Sequence, residues 1–308
     1  MVNLIFKRLT SSLISLVGVI LISFILLDLI PGSPVYEIIG SRADKDTIES
    51  LNKKLNIDKS LPEKFFGYFK NILTGNFGES FFTNEKVIDE ILKRFPKTFY
   101  LAFGAMILSS LLGIFIGVMS AYFHNTFIDK SLISITLLGI STPVFWLGIL
   151  FILLFSVKLQ ILPAGGYEDG DVRYLILPVL TLGIRPASFI ARLTRSEMIN
   201  VLTETYINTA KAKGLSVFTI LFKHALKNVL IPVIQLIGMD IGTLLGGAAL
   251  IEIVFNYPGI GYYGLKAIAQ RDYPVILGVV VFSAVCFIIV NFIVDILNGF
   301  LNPRLKTE

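Results

Sequence analysis

The sequence predicts an all-α, polytopic membrane protein of about six transmembrane helices, with a helical cap between the first two, on three observations. Of its 308 residues 54% are hydrophobic and only 16% charged, and the mean hydropathy is +0.77. Ordinary globular proteins do not reach that balance, so a bilayer is the better solvent. Six segments approach or exceed the roughly 20 apolar residues a helix needs to cross a hydrocarbon core of about 30 Å. Finally, Lys and Arg gather in alternate short loops, as they do in multi-pass proteins.

The spans are predicted over 9–30, 98–123, 132–157, 174–191, 229–253 and 273–301. Lys7 and Arg8 before the first resemble the start of a signal peptide. The apolar run is longer than a signal core and no small-x-small site follows, so the segment is expected to be a retained anchor that Pro31, Gly32 and Pro34 terminate. The second and third spans carry no charge. The fourth is short, is interrupted by Arg185 and Pro186, and is expected to continue as far as Met198.

With the N-terminus inside, the cytoplasmic side receives Lys7, Arg8, Lys130, Arg192, Arg195, Lys211, Lys213, Lys223, Lys227, Arg304 and Lys306. The opposite short loops receive only Lys158, Arg173, Lys266 and Arg271. Both termini are therefore placed in the cytoplasm. The net charge of +5 and pI near 9.1 follow from this topology. No basic block has groove-reading spacing, which argues against a nucleic-acid partner.

Four regions result: a cytoplasmic N-terminus with the first span (1–30), an extracytoplasmic cap (31–97), a core of five spans (98–301) that carries a cytoplasmic segment at 206–227, and a cytoplasmic tail (302–308). The cap repeats apolar residues at helical spacing, first Phe65, Phe66, Phe69, Ile72 and Leu73, then Val87, Ile88, Ile91 and Leu92. Two short amphipathic helices are expected there, divided by a turn at Gly75, Asn76, Phe77 and Gly78.

Several chemistries lack their motifs. There is no G-x-x-x-x-G-K-S/T phosphate loop, no G-x-S-x-G nucleophile elbow, and no H-E-x-x-H context around His124 or His224. The one cysteine, Cys286, supports neither a disulfide nor a cysteine-based metal site. No catalytic residue, metal site or resident cofactor is expected, so transport work would be powered by another subunit or by an ion gradient.

The most informative stretch is YINTAKAKGLSVFTILFKHALKNVLIP, from Tyr206 to Pro232. It predicts a helix, a break at Gly214 and Leu215, and a second helix opened by Ser216 as N-cap. Ala210 and Ala212 beside Gly214 would let another backbone approach closely, while Lys211, Lys213, Lys223 and Lys227 keep the rest wet. From the residues alone, protein docking and adsorption to an anionic inner leaflet stand level.

The same stretch resembles the coupling motif of permease subunits of ATP-binding-cassette importers, E-A-A-x-x-x-G followed by an apolar helix. In the peptide and nickel branch the motif reads Y-x-x-T-A-x-A-K-G-L-S, then H-A-L-R/K-N, then P. Tyr206, Thr209, Ala210, Ala212, Lys213, Gly214, Leu215 and Ser216 match it, as do His224, Ala225, Leu226, Lys227, Asn228 and Pro232. Asn208 departs from the general motif, which has Glu there, so no salt bridge can form from that position. Further similarities keep the family's order along the chain: Pro31-Gly32-Ser33-Pro34, Gly75-Asn76-Phe77-Gly78-Glu79-Ser80, Ser141-Thr142-Pro143-Val144-Phe145-Trp146, Ala191-Arg192-Leu193-Thr194-Arg195, Glu252-Ile253-Val254-Phe255, Pro258-Gly259-Ile260-Gly261 and Asn302-Pro303-Arg304.

The resemblance implies a type I importer permease that moves small peptides by alternating access, or a nickel chelate through the same machinery. It implies a heterodimer with a sister permease, two ATPase subunits that hold ATP and Mg, and an extracytoplasmic substrate-binding protein. It also implies that Tyr206, Asn208, Thr209, Ala210, Ala212, Lys213, Gly214, Leu215, Ser216 and His224 seat on an ATPase. A gradient-driven secondary transporter is the alternative from another class, and the inverted repeat expected of one is not evident.

Among intramembrane polar residues, Arg185 and Asp240 either line the translocation path or hold helices together as an ion pair. Glu252 is a further path candidate, although interfacial solvation at a helix end, as for Asp28 and Asp295, accounts for it more simply. Gly238, Gly242, Gly246 and Gly247 form a small-residue face suited to close packing or to sliding. The loop containing Tyr257, Pro258 and Gly259 reads either as an outer gate or as a plain surface turn.

Overall fold

The computed structural model describes residues 2–29 and 60–301. The motifs at 31–34 and 302–304, the first part of the cap, the 302–308 tail and the side chains of Asp28 and Asp295 lie outside the described residues. In chain order the helices are α1 (Val2–Leu29), α2 (Leu61–Leu73), α3 (Val87–Tyr122), α4 (Phe127–Ser141), α5 (Val144–Phe151), α6 (Arg173–Leu202), α7 (Thr205–Ala212), α8 (Leu226–Gly247), α9 (Ala249–Val254), α10 (Ile260–Gln270) and α11 (Tyr273–Leu301). π-helical stretches extend α5 (Ile152–Lys158) and lead into α8 (Thr219–Ala225). Among the described residues, five helices are long and apolar enough to cross a membrane, or six if the bent pair α4 and α5 forms one span.

The chain forms two compact units, one of residues 1–98 with 258–288, the other of 99–257 with 289–308. The core of the first gathers Ile20 and Phe24 of α1, Val87 and Ile91 of α3, Ala267 of α10 and Val275 of α11. α2 begins with a capping box: Glu63 Oε2 accepts from Ser60 N at 3.1 Å and from Ser60 Oγ at 2.9 Å. Of its predicted apolar face, Phe65, Phe69 and Ile72 pack on the core, whereas Phe66 is exposed. Phe24 meets Phe65 and Tyr68 at centroid distances of 5.8 and 5.2 Å.

Val87, Ile88, Ile91 and Leu92 do not form a second separate cap helix; they are the first turns of α3, which continues unbroken to Tyr122 through Pro96. Val87 and Ile91 are fully buried, and Val87 presses on α11 so closely that a Cβ at Gly278 would lie 2.5 Å from its Cγ1. That tertiary packing outweighs the local break that proline favours.

The predicted turn at 75–78 is present and explains its glycines. Gly75 (φ +76) closes α2 by donating to Ile72 O at 2.8 Å, and Gly78 has φ +85. The turn delivers Ser80 to Asp272, which is 2% exposed: Ser80 Oγ donates to Oδ2 at 2.5 Å and Phe81 N to Oδ1 at 3.2 Å. Burial still holds the Asp272 carboxyl above the usual range, against the pull of these donors.

In the second unit α6 is central and packs against α4, α5 and α8. It runs to Leu202, beyond the expected end, and contains both Pro178 and Pro186. α3 crosses it at Gly113 and Gly117, where an added Cβ would come 2.7 Å from Ala187 O and 2.6 Å from Ala191 O. Only glycine allows backbones that close. Gly238 of α8 serves α11 in the same way, since a Cβ there would meet Val294 Cγ1 at 2.5 Å; for this residue of the glycine face, close packing is what the structure shows.

The predicted third span is not straight. α4 and α5 meet at 106°, at Thr142-Pro143 within the S-T-P-V-F-W stretch. Proline disfavours helical geometry in the residue before it, and Thr142 is extended at φ −80 and ψ 129. The predicted fifth span is likewise divided, at Ala248 between α8 and α9.

Candidate coupling surface and membrane cavity

The helix, break and helix expected around Gly214 are all present. α7 ends at Ala212, Gly214 adopts φ +73, and Ser216 Oγ accepts from Thr219 N at 3.3 Å as the next helical turns begin. Asn208, Thr209, Lys211, Ala212, Lys213, Gly214, Leu215 and Ser216 are exposed, and a Cβ on Gly214 would have nothing within 4 Å. Two exposed apolar side chains not singled out from the sequence complete the tip, Val217 and Phe218, the latter 71% exposed and 4.6 Å from the Phe222 ring.

One expectation is overturned. Ala210 does not offer its small side chain to an outside backbone; it is buried with Ile207 in the core formed with Ile220, Leu221 and Ala225. Residues 207 and 210 lie three apart and share the inward face of α7, whereas 208, 209 and 211–218 point out. Across the break, Asn228 Nδ2 donates to Tyr206 Oη at 2.6 Å, tying α7 to the start of α8. His224 is half-buried on the intervening π-helical stretch.

A second assembly was not anticipated. Asp129, in the first turn of α4, is 1% exposed and its carboxylate accepts four hydrogen bonds, from Ser120 Oγ at 2.5 Å, Asn125 N at 2.9 Å, and Arg195 Nε and Nη2 at 2.8 Å each; its own N–H donates to Thr126 Oγ1 at 3.5 Å as the helix cap. Arg195 Nη2 also lies 3.1 Å from His124 Nδ1. Arginine only donates, so Nδ1 is the acceptor in this contact. The closing arginine of the A-R-x-T-R stretch thus joins the α3–α4 turn to α6. The available signal was a charge set among apolar residues, Asp129 beside Ile128.

Arg185 on α6 and Asp240 on α8 line one cavity of about 420 Å³, together with Val144, Leu182, Phe189 and Thr243 among others. Asp240 Oδ2 is buried with no hydrogen-bond partner. No hydrogen bond joins Arg185 to this oxygen. Glu252 does not line the cavity, although its neighbour Ile251 does. It is 0% exposed, which overturns solvation at a helix end as its explanation.

The three residues of the expected outer gate are not an open mouth. Tyr257 is fully buried, its ring edge-on to Tyr167 at 5.4 Å, and burial pushes its phenol up. Pro258 is half-buried and Gly259 buried, the latter just before α10, whose Ile260 N donates to Thr98 Oγ1 at 2.9 Å.

Two family models account for nearly the whole chain. Residues 113–307 match the family described as binding-protein-dependent transport system inner membrane component, and residues 1–102 match its N-terminal region. The chain belongs to this permease family. Along its full length the permease is 40% identical to a di/tripeptide transport system permease protein of Pseudomonas aeruginosa (strain UCBPP-PA14), covering 100% of both chains. It is 37% identical to a glutathione transport system permease protein of Escherichia coli (strain K12), covering 99% of both. Its fold is that of the inward-facing MetNI methionine ABC transporter, with a TM-score of 0.60, 19% identity, and coverage of 69% of this chain and 96% of that one. It is a multi-pass membrane protein and a component of a transport system served by a binding protein.

Proposed function

We propose that this permease translocates di- or oligopeptides across the cytoplasmic membrane, driven by ATP hydrolysis on separate subunits. The carrying observation is the exposed helix–turn–helix centred on Gly214, in a chain that matches peptide and glutathione permeases from end to end. Glutathione is itself a tripeptide, so both relatives handle the same class of molecule. One of two ATPase subunits holding ATP and Mg engages this turn, an external binding protein delivers substrate, and a sister permease completes a heterodimer. Both termini are cytoplasmic, and the stretch between the first two spans lies on the outer side.

Alternating access follows if closure of the ATPases moves the α7 turn and, through it, α6 and α8, a two-state element biased at one end and read at the other. Arg185 and Asp240 sit on the route, since charged groups within a membrane span are retained where they meet a cavity. Glu252 and Tyr257, both buried, hold α9 and the following loop in place.

The turn gives a direct test. Gly214→Val strains a φ of +73 and adds bulk at the tip, whereas Gly214→Asn adds bulk but tolerates that backbone. In proteoliposomes carrying the complete transporter, Gly214→Val is expected to lower ATP-driven peptide uptake at least tenfold with membrane insertion intact, and Gly214→Asn to lower it less. Uptake at the unmodified rate in Gly214→Val would overturn the docking assignment.

A further inference from the structure

The cavity between α5, α6 and α8 holds two opposite charges, Arg185 and Asp240, with no hydrogen bond between them. Asp240 presents a carboxylate with one buried oxygen lacking any hydrogen-bond partner. Arg185, on α6, lines the same space. The remaining lining is apolar or small: Val144, Leu182, Phe189, Thr243, Leu250 and Ile251 among it. Leaving a buried carboxylate without donors is costly, and an entering cation or donor relieves that cost, as protonation otherwise would. A volume of about 420 Å³ is within the range of small-molecule sites.

We propose that this cavity is a transit site for zwitterions, in which Asp240 takes the free α-ammonium group of a short peptide and Arg185 takes its carboxylate. The inference rests on the placement of the cavity on the transport route. An ammonium supplies up to three donors to the unsatisfied carboxylate, and a guanidinium can hold a carboxylate by two parallel hydrogen bonds. Between the two ends the apolar wall accepts side chains without selecting among them, which suits a carrier of many peptides. The site needs no metal: the chemistry it offers is one anion, one cation and a dry wall. Its charges are separate because each is reserved for the opposite end of the cargo.

The experiment uses the complete transporter with its ATPases and binding protein in proteoliposomes, and radiolabelled trialanine as probe. Four variants of this chain are compared: Asp240→Asn, Asp240→Glu, Arg185→Gln, and Asp240→Asn combined with Arg185→Gln. Assembly and the ATPase rate stimulated by the loaded binding protein serve as controls for folding and docking. Asp240→Asn and Arg185→Gln should each lower uptake about tenfold or more, Asp240→Glu should retain most of it, and the double variant should be no better than the worse single.

Recovery of near-normal uptake in the double variant would overturn the proposal, because a mutual pair is dispensable when both charges go but a pair of ligands for cargo is not. Normal uptake in Asp240→Asn overturns it as well. Thr243→Trp separates this failure from failure of the route itself. If Thr243→Trp blocks uptake while Asp240→Asn does not, the cavity is on the route but does not read the ammonium group; if Thr243→Trp transports normally, the cavity is not on the route at all.

Discussion

Asp129 and Asp240 are both carboxylates in apolar helices, and both have an arginine of α6 within reach, yet their surroundings are opposite. Asp129 is saturated: a hydroxyl, a backbone amide and two guanidinium nitrogens fill its oxygens. Asp240 has a buried oxygen with no partner and an arginine that shares its cavity without pairing to it. Ten residues separate Arg195 from Arg185 on one helix, so the same helix supplies a brace at one end and an open site further along. A buried charge that is fully satisfied fixes geometry, whereas one left unsatisfied is available to a ligand.

The largest effect that could break this contrast lies at the brace. Asp129→Ala leaves Arg195 without its main partner, and removing one member of a buried pair costs about 3–5 kcal/mol. Thermal unfolding in detergent should show a drop of many degrees, and a midpoint unchanged from the parent would mean that the network is not structural. Asp240→Asn should differ sharply: with no side-chain hydrogen bond to lose, its stability is expected to stay within about 1 kcal/mol of the parent, or to rise, since a desolvated charge is removed. Equal destabilisation by both substitutions would erase the distinction between brace and site.

Asp272 sits between these extremes, buried and bonded only by neutral donors, Ser80 Oγ and backbone amides. Its folded carboxyl is held above the ordinary value, so the folded state keeps its proton over a range in which the unfolded chain has lost it. Stability is therefore complete below the ordinary carboxyl pKa and declines as pH rises to the raised value. Melting curves should show that decline, and Asp272→Asn should abolish this part of it; an unchanged slope in the variant would assign the decline to other groups. This is the smallest of the expected effects.

Much of the fold was legible because membrane spans announce themselves by length and hydropathy, and the last span was predicted over 273–301, where α11 lies. The Gly214 turn was equally legible, since a left-handed glycine and a serine cap are local signals. What was not legible depended on partners distant in sequence. The inward face of Ala210 is decided by Ile220 and Ala225, the continuity of α3 by α11 behind Val87, and the role of Asp129 by an arginine 66 residues away. The bend at Thr142-Pro143 had a local signal, the proline itself, but an apolar run on both sides masked it.

The hydrogen bond from Asn228 to Tyr206 gives the cytoplasmic turn a mechanical character. It clasps the two arms at their base, so that the nine exposed residues at 209 and 211–218 lie on a closed loop with a fixed root. A flexible loop absorbs a push by bending; a clasped one passes it on. If the turn docks as proposed, a displacement applied at Gly214 would reach α8 through Asn228 and α7 through Tyr206 at the same time, and the tip would work as a lever whose fulcrum is a single phenol.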